Sequence, residues 1–146
     1  MTAMANRPGD DDNRDDGDSE PLSAMDAFRE RLRERFPDIR PYGEEDWDWT
    51  WADEGMEFLN AQDYAMAELR FQELIAAQPG HCDGYEGLAL VYARTGRKDE
   101  ALVLMDEAIR IAQLHAREGL LENEVVGELV GERDAIRAGE YDPQDD

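Results

Sequence analysis

Residues 51–80 read WADEGMEFLNAQDYAMAELRFQELIAAQPG, and residues 85–114 read YEGLALVYARTGRKDEALVLMDEAIRIAQL. Laid over each other at an offset of 34, the two stretches share one apolar register. Trp51 falls on Tyr85, Gly55 on Ala89, Phe58 on Tyr92, Ala67 on Ala101, Phe71 on Met105 and Leu74 on Ala108. A self-match at a fixed period of this size marks repeated supersecondary units stacked on one another. Within the first copy, Trp51, Gly55 and Phe58 stand at i, i+4 and i+7, one face of a helix. Ala67, Phe71 and Leu74 repeat that spacing on a second helix. Gln62–Asp63 and Thr95–Gly96 separate the periodic runs and predict turns. Pro79–Gly80 predicts the end of the second helix, because the residue before a proline is pushed out of the helical region. In the second copy Gln113 stands where Pro79 would.

These residues resemble the tetratricopeptide repeat (TPR) family. Trp51-x-x-Glu54-Gly55-x-x-Phe58, followed by Ala67, Phe71 and Pro79, is similar to one repeat. Tyr85-x-x-Leu88-Ala89-x-x-Tyr92, followed by Ala101, Met105 and Ala108, is similar to a second. Glu54 departs from the family preference for Leu. The resemblance implies an all-α fold, a short right-handed superhelix of antiparallel helix pairs, with repeats at about 48–81 and 82–115.

Two hairpins alone bury little continuous core, so stacked repeats need about three units, the end ones atypical. The flanks predict N- and C-terminal capping helices. Met25, Phe28, Leu32 and Phe36 trace an apolar stripe over 24–36, with Ser23 placed as N-cap and Pro37 as terminator. Leu121, Val125, Leu129 and Ile136 predict a capping helix over 120–138, stopped by Gly139. Gly119 is expected to close the helix before it. The helical domain is thus read as 23–139, with disordered acidic tails at 1–22 and 140–146, too poor in apolar residues to offset chain entropy.

The chain carries 37 acidic and 15 basic side chains, for a net charge of −22. The surplus is spread: −7 over residues 1–47, −8 over 48–113 and −7 over 114–146. Such a field repels nucleic acid and anionic membranes, so neither is an expected partner. Fourteen Arg accompany one Lys, Lys98. The acidity fits two origins, a salt-rich cytoplasm or a basic partner. With no secretory pattern and no apolar run of roughly 20 residues, a cytoplasmic location is expected.

No enzyme chemistry is legible. His81 and Cys82 are sequence neighbours in a turn, a poor arrangement for a nucleophile and its base. No phosphate loop, nucleophile elbow or paired metal ligands occur, and neither a cofactor nor a metal is expected. Asp10 to Gly17 suggests a calcium loop, but aligning Gly17 puts Arg14 and Ser23 at ligand positions. A solvated tail is the better reading.

The resemblance implies a concave groove lined by the first helix of each repeat. By register it presents Trp49, Ala52, Met56, Leu59 and Asn60 from the first repeat, and Asp83, Glu86, Leu90, Ala93 and Arg94 from the second. This is an apolar floor with an acidic rim. It suits an apolar or basic segment of another protein better than a terminal carboxylate, since Arg94 is its one cation. Trp47 and Trp49 are open between packing on the first cap and anchoring a ligand. Arg29, Arg31, Arg33 and Arg35 on the N-terminal helix pose a similar choice. That helix is either a packing element with Arg–Glu pairs, or a self-ligand or homodimer arm. The function expected is an adaptor or scaffold module. The alternatives are a small acidic chaperone resembling those of type III secretion translocators, and a self-associating structural protein.

The two origins of the acidity separate by experiment. Thermal melting followed by far-ultraviolet circular dichroism between 0.02 and 2 M KCl should show a steep, continuing rise for a chain adapted to salt. A melting temperature that levels off above about 0.15 M, where the Debye length has fallen to about 8 Å, rules that origin out.

Overall fold

A computed structural model describes residues 20–39 and 50–143. Trp47 and Trp49 lie outside the described residues, as do the Asp10–Gly17 run and most of the expected N-terminal tail. Among the described residues there are six α-helices and no strand: α1 (Glu20–Arg35), α2 (Thr50–Asn60), α3 (Tyr64–Ala77), α4 (Cys82–Arg94), α5 (Lys98–Arg117) and α6 (Asn123–Arg137). Helices adjacent in sequence from α2 to α6 pack on one another. The alternate helices α2, α4 and α6 also touch, so they form one layer, with α3 and α5 behind it.

The 34-residue register reappears in the backbone. α2 ends at Asn60 and α4 at Arg94; α3 starts at Tyr64 and α5 at Lys98. The turns match as well. Gln62 and Gly96 both take left-handed backbone, φ 64° and 85°. In each turn the two N–H groups after the helix bond back to its last carbonyls: Asp63 to Phe58 and Gln62 to Leu59, Arg97 to Tyr92 and Gly96 to Ala93. This is the Schellman closure, which normally calls for glycine; the first copy uses Gln62. Asp63 then caps α3, its Oδ1 accepting from the Met66 N–H at 3.3 Å.

The register residues form the core. Ala67, Phe71, Tyr85, Ala89, Tyr92, Ala101 and Met105 are buried, and Trp51 and Phe58 pack against them half-buried. Phe71 is central. A Cβ added at Gly55 of α2 would stand 2.6 Å from its ring, and one added at Gly87 of α4 would stand 2.1 Å from it. One benzyl side chain from α3 therefore fills the space that two missing methyl groups leave on the neighbouring helices. Gly84 gives Ile75 similar room, at 2.6 Å.

The flanks differ from expectation. α1 begins at Glu20, so Ser23 lies inside the helix and is not its N-cap. Its main packing is on α3 and not on the exposed side of α2, so it is no end cap of the stack. Met25 and Leu32 are buried there, and Arg35 Nη1 donates to Gln72 Oε1 at 2.5 Å. α6 starts at Asn123, three residues later than the stripe suggested, and packs on α5 and α4 through buried Leu129 and Ile136. Gly119 closes α5 with φ 77°. The C-terminal tail does not begin at 140. Tyr141 is half-buried beneath the Arg94 guanidinium, 4.9 Å from its ring centre, and Asp142 lies 3.7 Å from Lys98 Nζ. A chain with Gly139 in left-handed backbone turns back onto the bundle and places an aromatic there.

Glycine positions give a test with opposite signs. Gly87→Ala should lose about 1 kcal/mol or more in urea unfolding, because overpacking costs about 1–3 kcal/mol and exceeds the helix-propensity gain. Gly131→Ala on α6, where nothing lies within 4 Å of an added Cβ, should gain about 0.5–1 kcal/mol. Adding Phe71→Leu should recover part of the Gly87→Ala loss. Strict additivity of the two would show that the ring and the glycine are not in contact.

Candidate functional site

The layer of α2, α4 and α6 carries two adjoining clefts. The larger, of ≈ 520 Å³, is lined by Met56, Leu59 and Asn60 of α2, Leu90 and Arg94 of α4, Glu132 of α6, and Tyr141. The smaller, of ≈ 220 Å³, is lined by Ala52, Met56, Asp83, Glu86 and Gly87, with the Phe71 ring at its base. Met56 is common to both and is 38 % exposed. An unbranched thioether at a cleft junction is an adaptable apolar contact.

The residues expected to face a ligand divide into four groups. Met56, Leu59, Asn60, Leu90 and Arg94 meet at the larger cleft, although Leu90 contributes little surface, being 5 % exposed. Ala52, Met56, Asp83 and Glu86 meet at the smaller. Ala93 is 1 % exposed and belongs to the core, a correction to the register reading. It belongs to the buried core cluster of the helix bundle. Trp49 lies outside the described residues. Sequence reading missed Glu132 and Tyr141. The signal for Tyr141 was present, an aromatic two residues after Gly139, but its acidic setting disguised it.

The charge of this face is one-sided. Glu86 of α4 lies against Glu132 of α6, with Asp83 and Glu128 near. Burial, then the Glu132 carboxylate, then the charges of Asp83 and Glu128 push the Glu86 carboxyl up to about 9. Burial also raises Asp83, partly offset by its bond from the Cys82 thiol and by His81. Arg94, the nearby cation, is stacked on Tyr141. The arrangement therefore offers an apolar seat beside Glu86, a carboxyl that holds a proton for want of an Arg or Lys partner among the described residues.

The cysteine and the two histidines are differently placed. Cys82 is buried, and burial together with Asp83 and Glu86 pushes its thiol up, away from the thiolate form. His81 and His115 are buried with their rings edge to face, centroids 5.9 Å apart. Among the described residues no His, Cys, Asp and Glu group has metal-binding geometry, and no helix is long and apolar enough to cross a membrane.

The Glu86 proton links this face to stability. The folded carboxyl keeps its proton to about pH 9, whereas the unfolded one releases it near its ordinary value of 4.5. The folded chain thus holds more protons across that window, so its stability falls as pH rises through it. Glu86→Gln, which keeps a hydrogen-bond donor without titrating, should flatten that fall and melt about 5 °C higher than wild type at pH 9. Parallel melting curves for the two proteins from pH 5 to 9 would remove Glu86 as the cause. The chain as a whole matches no protein-family model, no curated protein and no solved structure.

Proposed function

We propose that this chain is a tetratricopeptide-type interaction module that holds a segment of another protein along the α2–α4–α6 face. The observation that carries the reading is Met56, an exposed apolar side chain shared by two clefts. Three further features support it. Helix ends and turns repeat at 34 residues, as units of this family do. The first helices of the two hairpins lie side by side, leaving one shared face. That face combines Met56, Leu59 and Leu90 with Asp83, Glu86 and Glu132, none of which pairs with an Arg or Lys among the described residues.

The ligand that fits is a segment with apolar side chains for the cleft and a Lys or Arg for the carboxyls. An arriving cation displaces the shared proton and exchanges a desolvated acid for an ion pair. Apolar contact supplies affinity, and the charge fixes register and excludes acidic sequences.

Selection of a random-peptide display library against the full chain tests this. Enriched peptides should pair apolar residues with Lys or Arg. Their binding should drop at least tenfold with Met56→Glu and persist with Val103→Glu, a 48 % exposed residue on α5. Equal binding by both variants would remove the α2–α4–α6 face from the proposal.

A further inference from the structure

The opposite side of the molecule holds a second binding arrangement, already filled by part of the chain itself. α1 lies on α3 and reaches across to α4 and α5. Arg29, the least exposed of its arginines, donates through Nη1 to Glu107 Oε2 at 3.0 Å and to the Tyr85 hydroxyl at 3.2 Å. Glu107 is a charged side chain only 4 % exposed, and Arg110 also binds it, at 2.7 and 2.9 Å. Burial opposes ionisation of Glu107, yet Arg110 and Arg29 together hold its carboxyl below the ordinary range. Tyr85 is fixed in turn by donating to the Pro79 carbonyl at 2.6 Å. The socket thus offers a buried carboxylate a second guanidinium beside Arg110, and withdrawing Arg29 leaves Glu107 with one arginine where it had two.

What fills the socket is set by the α1 sequence and not by chain connectivity. Met25, Arg29 and Leu32 stand at i, i+4 and i+7 and enter the body together. The connection from Arg35 to Thr50 is 14 residues, a reach of about 45 Å when extended. α1 does not use α2, the next helix in the chain, as its main support. Its fit is also incomplete. A cleft of ≈ 580 Å³ remains between Phe28, Arg31 and Arg35 of α1 and Tyr92, Val103 and Leu104 of the body.

We infer that α1 is an exchangeable arm, and that the second occupant of its socket is α1 of another copy of this chain. Every copy brings the same arginine between the same two apolar residues, so complementarity between copies is guaranteed. The tether favours the chain's own arm, with an effective concentration in the millimolar range, so a single copy is the resting form. Exchange takes over where copies are concentrated, and two arms passing reciprocally between two sockets close a symmetric dimer. The negative field of each copy opposes the encounter, so added salt favours the dimer. This face is distinct from the α2–α4–α6 clefts, and its test is independent of them.

The test uses full-length chains with reversed charges. Arg29→Glu sets two carboxylates against each other, and Glu107→Arg sets arginines together. Each mismatches its own socket, but in a mixture every arm finds a matching one. Native mass spectrometry of either variant alone should show monomer, and the 1:1 mixture should show a heterodimer. A mixture that stays monomeric, with both variants as helical as wild type, overturns the inference. Should Glu107→Arg fail to fold, labelled wild-type peptide 20–39 added to the Arg29→Glu chain gives the reading. It should bind roughly 100-fold more tightly than the same peptide carrying Arg29→Glu. Equal or absent binding overturns the inference.

Discussion

The structure depends on Phe71 being seated between two glycines. Helix pairs pack at 8–10 Å according to the side chains at the contact. Gly55 and Gly87 let α2 and α4 close on α3 with a single aromatic ring filling the interval. The ring is buried, so it contributes the larger part of its transfer free energy. Because it touches α2 on one side and α4 on the other, it couples the first hairpin to the second. The layer of α2 and α4, and with it every cleft on that face, follows from this spacing.

The two faces use charge in contrasting ways. On the α3–α5 side, buried Glu107 is fully supplied with arginines and its carboxyl stays ionised. On the α2–α4–α6 side, Glu86 and Glu132 face each other without an Arg or Lys partner among the described residues, and Glu86 retains a proton. Both carboxyl groups are desolvated, so the difference is the neighbour. A chain of charge −22 with 15 bases cannot pair all its acids. Four of those bases, Arg29, Arg31, Arg33 and Arg35, are carried on α1, of which Arg29 and Arg35 bond to the body. Arg33 pairs with Glu30 on its own helix, and Arg31 lies over the Phe28 ring. Among the described residues the clefts are lined by one arginine, Arg94, which is engaged with Tyr141.

Helices α2 to α5 were legible because a 34-residue self-match and local turn chemistry agree. The apolar spacing of 4 and 3 fixes the helical faces, and the left-handed turn at Gly96 is written in its residue type. The matching turn at Gln62 is legible only through the register, since Gln seldom adopts that backbone. The cleft residues were half legible. Positions on α2 and α4 follow from the period, which is why Met56, Leu59 and Asn60 were expected together. The presence of Glu132 and Tyr141 was not legible, because α6 and the returning C-terminal turn lie outside the repeat.

The sequence by itself determined what is local or periodic: helix type, turn positions, the 34-residue register and the acidic balance. These depend on residues a few positions apart, or on a spacing that can be counted. Only the tertiary structure decided where α1 docks, that Arg29 among four similar arginines turns inward, and that Glu86 meets Glu132. Those outcomes depend on the relative placement of helices far apart in the chain. An amphipathic stripe such as Met25, Phe28 and Leu32 states that a helix must be covered, but not by which neighbour.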